Sequence, residues 1–121
     1  MAGENNHANW WHAAAAISLA QLYLAKGDAV RADAALEKAN RLDVYDARSV
    51  SFRAAIKMEE NRLAEAYRLQ RQAIDRQPQE PGQYLMLSDI LIAMGRADEA
   101  RATLALVEGM RATAASQAAS R

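Results

Sequence analysis

A period of 34 residues runs through the chain and constrains its fold more than any other feature. Placing Ala13, Ala47 and Pro81 under one another aligns Gly27, Asn61 and Gly95. The same shift aligns Ala20 with Ala54 and Ser88, and Ala32 with Ala66 and Ala100. Leu22, Ile56 and Ile90 form an apolar column, as do Ala39, Ala73 and Val107. Self-similarity at such a period marks units that cannot bury an apolar face alone and therefore stack. Three units fit without gaps: 13–46, 47–80 and 81–114. Residues 1–12 precede them as an extension that also starts the first helix, and 115–121 follow as a tail.

Each column has a physical reason. Gly27, Asn61 and Gly95 stand where one helix should stop, since the residue after a helix often turns left-handed, which Gly and then Asn tolerate best. Asp28 suits the cap of the helix that follows. Pro81 suits a first helical turn, where its missing N–H costs nothing. Alanine fills 29 of 121 positions against 5 Gly and 2 Pro, so helix formers dominate and breakers are rare. The pattern predicts an all-α chain of three helix-turn-helix units. Its six helices fall at roughly 10–26, 29–42, 47–60, 63–76, 81–94 and 97–111. The small Ala columns mark close helix approaches, and the Leu/Ile column fills the gaps between.

These columns resemble the tetratricopeptide repeat family. In the first unit Leu19, Ala20, Tyr23, Gly27, Asp28, Ala32, Leu36, Ala39, Leu42 and Asp43 match it. The second keeps Ala54, Ala66, Ala73 and the closing Pro78. The third keeps Tyr84, Leu87, Ser88, Gly95, Ala100 and Leu104. Val44 and Ala112 replace the family's usual Pro, and Arg53 and Lys57 replace its usual Leu and Tyr, which makes the middle unit more polar inside. The resemblance implies a right-handed α-solenoid whose first helices line a concave groove and whose second helices form the convex back. It also implies a module that binds peptides or partner proteins rather than a catalyst.

Composition narrows the chemistry. Fifteen Lys+Arg balance fifteen Asp+Glu, and aromatics are 6%, which argues against a nucleic-acid grip. With no Cys, disulfides, thiolate metal sites and Cys nucleophiles are excluded. His7 and His12 share no helix face well and have no metal-binding companions. The glycines form no phosphate loop, and no serine sits on a turn beside a base and an orienting group. No cofactor is expected, and no enzyme. Ala13 to Ala25 is apolar but too short to cross a bilayer. No signal peptide is visible in the sequence, so a cytoplasmic location is favoured.

The family's geometry turns one set of residues toward the groove: Ile17, Gln21, Leu24, Phe52, Ala55, Met58, Leu85, Met86 and Asp89. Family members that clamp the C-terminal carboxylate of chaperone tails carry Lys, Asn and Arg there. The matching positions here are Ile17, Gln21, Phe52, Gly82 and Met86, none of them cationic. The run Ser51-Phe52-Arg53-Ala54-Ala55 resembles the clamp members' local sequence with Asn replaced by Phe. An apolar, Met-bearing groove suits an apolar or amphipathic segment of a protein partner. Two further readings stand beside it: a structural unit that self-assembles through its terminal helices, or an accessory domain of a larger bacterial protein. Trp10 and Trp11 open the first helix, and one of them either covers the start of the stack or meets a partner. At the other end Leu104, Leu106, Val107 and Met110 need a cover, from the Ala-rich tail, a further repeat or another copy.

Overall fold

The computed structural model describes residues 10–120, with side chains from Trp11 onward. The described residues form α1 (Trp10–Ala25), α2 (Ala29–Leu42), α3 (Ala47–Glu59), α4 (Leu63–Arg76), α5 (Pro81–Ala93) and α6 (Ala97–Ala119), with no strand among them. Five helices end within a residue of expectation. The sixth departs: it was expected to stop near 111 and runs to Ala119. The tail Ala112–Ala119 holds five alanines and no Gly or Pro, so nothing in it terminates a helix. That stretch is solvent-exposed throughout, so the tail extends α6 and does not fold back over the end of the stack.

The three turns within units share one geometry. Gly27, Asn61 and Gly95 have φ of 78°, 60° and 77°. In each, the N–H of the following residue bonds a carbonyl five positions back: Asp28 to Tyr23, Arg62 to Lys57 and Arg96 to Leu91, all at 2.8 Å. This pattern satisfies carbonyls that the helix end leaves open. A Cβ on Gly95 would meet nothing within 4 Å, so a substitution there is strained by backbone conformation alone. Gly95→Val is therefore expected to cost about 1 kcal/mol or more, and Asn61→Gly to be neutral or mildly stabilising. Thermal melts followed by circular dichroism check both; an unchanged Gly95→Val melt would contradict the strain.

Side chains begin the helices as well. The Asp28 carboxylate accepts the Arg31 N–H at 3.1 Å, and Asp46 accepts the Arg48 N–H at 2.8 Å. Glu80 accepts the Gly82 N–H at 3.2 Å with Pro81 in the first turn of α5. Before α4 and α6 the cap residues are Arg62 and Arg96, which make no cap bond through their side chains. Their guanidinium groups instead hold Glu65 at 2.7 Å and Glu99 at 2.6 Å, carboxylates that favour a helix N-terminus.

Each first helix packs on the second helix of its own unit, and each second helix packs on the first helix of the next. The predicted Ala columns are the contact points. Ala20, Ala54 and Ser88 are buried, as are Ala32, Ala66 and Ala100, and Ala39, Ala73 and Val107. Small side chains there let the helix axes approach. One predicted column splits: Ile56 and Ile90 are buried, whereas Leu22 is exposed. That position packs against the unit before it. Ile56 joins the cluster of Ala20, Ala32 and Leu36, and Ile90 joins Ala54 and Ala66. Leu22 belongs to the first described unit, and no described unit precedes it.

Candidate functional site

The nine residues expected in the groove fall into three grades of exposure. Gln21 and Asp89 are exposed, and Leu24, Phe52, Ala55, Met58, Leu85 and Met86 are half-buried. Ile17 is buried in the core shared by α1, α2 and α3, and contributes support rather than surface. Leu24 and Phe52 pack against that same core. Met58 and Met86 pack against Ala54, Ala66 and Ile90. The apolar strip is thus seated on the core from below, with Gln21 and Asp89 as its polar members.

Beside the groove residues of α3 stands a cation, Arg48, one helical turn before Phe52. Asp46 holds it through two oxygens, Nη2 to Oδ2 at 2.6 Å and Nε to Oδ1 at 3.1 Å. Burial pushes the Asp46 carboxyl up. The Arg48 side-chain and backbone bonds, with the charges of Arg48 and Arg76, outweigh burial and hold it below the ordinary carboxylate range. The same hydrogen bond raises the pKa of Arg48 further, so the pair stays ionised near neutral pH.

The polar groups of the middle unit are paired, some within it and some across its junctions. Lys57 reaches Glu60 at 3.5 Å. Arg53 instead crosses to Asp33 on α2 at 2.9 Å, and Arg76 donates to Asn40 Oδ1 at 2.6 Å. Gln70 is fully buried and donates to both the backbone carbonyl and Oε1 of Gln83, at 2.8 Å each. It also accepts from Ser51 at 3.2 Å. Among the described residues no buried side-chain polar atom lacks a partner. Arg53–Asp33, Arg76–Asn40 and Gln70–Gln83 join one unit to the next, whereas Lys57–Glu60 and Ser51–Gln70 lie within the second unit.

A second surface was not singled out in the sequence. A recess of about 850 Å³, in the size range of ligand clefts, opens on the first unit. It lies between α1 and α2, with Ala15, Leu19 and Tyr23 on one wall and Arg31, Lys38 and Leu42 on the other. His12 borders it and stacks on the exposed Trp11, ring centroids 4.1 Å apart. Trp11 therefore does not close the start of the stack; the Trp10 side chain and His7 lie outside the described residues. The signal for the recess was the 34-residue shift, because Ala15, Leu19 and Tyr23 align with Gln83, Leu87 and Leu91, which are buried. No described helix is long and apolar enough to cross a membrane.

A family model described as tetratricopeptide repeat matches residues 57–120, more than half of the chain. The chain belongs to the tetratricopeptide repeat family. Its six described helices agree with three tetratricopeptide repeats, and its stacked helix pairs form the family's α-solenoid. Among solved structures it is similar to the second TPR domain of Spaghetti (RPAP3) bound to an HSP90 peptide, SRMEEVD. That match has a TM-score of 0.79 at 17% identity and covers 88% of this chain and 98% of that one. The N-terminal domain of stress-induced protein-1 (STI-1) from C. elegans matches with a TM-score of 0.76 at 16% identity, covering 85% and 87%. A mutant O-GlcNAc transferase from Thermobaculum terrenum matches with a TM-score of 0.75 at 19% identity. That match covers 88% of this chain but 20% of the transferase, so it concerns a repeat segment and not a whole enzyme. At these identities the likeness is one of fold. Among curated proteins, none matches the sequence. Tetratricopeptide repeats are in general non-catalytic scaffolds for protein–protein interaction, and the fold suggests that role here.

Proposed function

We propose that this chain is a protein-interaction module whose concave groove takes an apolar or amphipathic segment of a partner protein, without catalysis. The observation that carries the reading is the state of the groove's charge. The nine groove positions offer no cation, and Arg48, one turn before Phe52 on α3, is already neutralised by Asp46 at 2.6 Å. The half-buried strip of Leu24, Phe52, Ala55, Met58, Leu85 and Met86 is what remains to bind with. Methionines adapt to irregular apolar surfaces, and amphipathic helices lay apolar faces into such grooves. Gln21 and Asp89 are exposed and can fix orientation by hydrogen bonds.

The reading differs from the complex formed by the Spaghetti (RPAP3) domain. An acidic tail such as SRMEEVD needs cations to receive its carboxylates. Ile17, Gln21, Phe52, Gly82 and Met86 offer none, so this chain is not a carboxylate clamp.

Fluorescence anisotropy tests both halves. A labelled SRMEEVD peptide is expected to show no saturable binding. An amphipathic peptide selected on the immobilised protein is expected to bind at about micromolar Kd, near −8 kcal/mol. Its affinity should change little with salt, because no free cation lines the groove. Phe52→Ala and Met86→Ala should each weaken it about tenfold, a loss typical of a moderate interface residue. Arg71→Ala, on the exposed side of α4, should leave it unchanged. Tight binding of SRMEEVD, or loss of the selected peptide by Arg71→Ala alone, would overturn the assignment.

A further inference from the structure

The two ends of the stack are the two halves of a junction that the chain builds twice within itself. Inside the stack, the tenth position of one repeat is buried against the repeat before it: Ile56 is 3% exposed and Ile90 0%. The same position in the first repeat is Leu22, 61% exposed. The residues that receive this position are also known from within. Leu24 packs on the cluster holding Ile56, and Met58 packs on the cluster holding Ile90. Their equivalent in the third repeat is Ile92, 58% exposed. Among the described residues one end therefore lacks a receiver and the other lacks an insert, and each carries what the other wants.

The second helices repeat the argument. Gln70 on α4 meets Gln83 on α5 at 2.8 Å. Thirty-four residues earlier the same register holds Leu36 and Ser49, both fully buried. Carried past the end, it brings Leu104 of α6, 38% exposed, over Ala15 on the wall of the recess. A leucine and a small residue again share this register. Charge agrees as well. Asn40 receives Arg76 at the first junction, and Glu108 holds the Asn40 position on α6. The residue at the Arg76 position is Leu42, one helical turn from Lys38 on the same face of α2. Among the described residues neither Glu108 nor Lys38 makes a salt bridge within the chain.

We infer that the recess between α1 and α2 is a docking seat for α6 of a second copy of this chain, so that copies join head to tail and continue the solenoid. The contact is heterologous, because different surfaces of the two copies meet, and such contacts propagate unless rotation closes a ring. It is separate from the groove: Phe52 and Met86 take no part in it.

Sedimentation analysis across about micromolar to millimolar concentration tests this. The average mass of the wild type should climb with concentration without stopping at a dimer. Leu22→Glu blocks one end and Leu104→Glu the other. Both residues are partly or largely exposed, and circular dichroism checks that each variant stays folded. Each variant alone should remain monomeric to at least tenfold higher concentration than the wild type, whereas their equimolar mixture should form a dimer that grows no further. Phe52→Ala should assemble as the wild type does, whether or not the groove binds a peptide. Three results would overturn the inference: a wild type monomeric at every concentration, a mass that stops at a dimer and is broken by one of the two variants alone, or assembly that neither variant disturbs.

Discussion

Leu36→Ala should lower the free energy of unfolding by about 2–5 kcal/mol, the range for deleting most of a buried aliphatic side chain. Leu36 is fully buried and sits among Ala13, Ala16, Ala20, Ala32 and Ala39. The alanines are too small to move into the space a leucine leaves, and the larger members of the same cluster, Ile17 and Ile56, are already buried on helices held by their own contacts. The cavity stays open, which places the cost toward the upper part of the range. Native domains hold only about 5–15 kcal/mol in total. In a solenoid each repeat leans on its neighbours, and three repeats are close to the fewest that stand. Among the described residues the first repeat packs on the second, so its loss removes a junction as well as a core. Urea unfolding followed by circular dichroism measures the effect. A change below about 1 kcal/mol would mean that the α1–α2–α3 core collapses around the missing side chain.

The contrast between Leu36 and Leu22 shows which part of the fold a sequence with internal repeats can reveal. Columns of small residues and the three turn positions depend on contacts inside one unit or between adjacent units. The 34-residue shift superimposes those contacts, and the turns at Gly27, Asn61 and Gly95 follow directly. Leu22 has the residue type of Ile56 and Ile90 but not their environment, because a column records chemistry and not whether a preceding unit covers it. The same limit hid the recess: Ala15, Leu19 and Tyr23 look like core residues and are core only when a helix precedes them. The end of α6 was missed for another reason. The other second helices stop at Leu42 and Arg76, and the register carried that stop forward to the third. An uninterrupted run of helix formers continues the helix instead.

The pairing partners were less legible still. Arg53 and Lys57 are one turn apart on one helix face, and Glu60 is the acid that follows them on the same helix end. Lys57 reaches it, while Arg53 crosses to Asp33, because the fold brings α2 against α3 at that level. Gln70 gave no signal at all. It stands in the column of Leu36 and Leu104, and only the structure shows that Gln83 answers it. Of the groove, the sequence carries the residue types and the period carries their placement on first helices. The depth of Ile17 and the capture of Arg48 by Asp46 depend on three-dimensional contacts that no spacing encodes.

That substitution of a polar pair for an apolar one gives the second large effect. Gln70→Leu should destabilise the chain by about 1–3 kcal/mol, the penalty for leaving a buried polar group without its partner. Leucine fits the site by register, since Leu36 fills its counterpart. The loss falls on the groups left behind: the Gln83 side-chain oxygen loses its donor, and the Ser51 hydroxyl loses its acceptor. Gln83 keeps one bond, from its amide to Gln77 at 2.9 Å, which does not relieve the oxygen. Combining Gln70→Leu with Gln83→Ser gives the residue pair that the same register holds at the first junction, the fully buried Leu36 and Ser49. The double variant should therefore be more stable than the two single losses together allow, by about 1 kcal/mol or more of coupling. A double-mutant cycle from urea unfolding measures it. Additive losses, within about 0.5 kcal/mol, would show that the two junctions are not interchangeable and that Gln70 and Gln83 contribute independently.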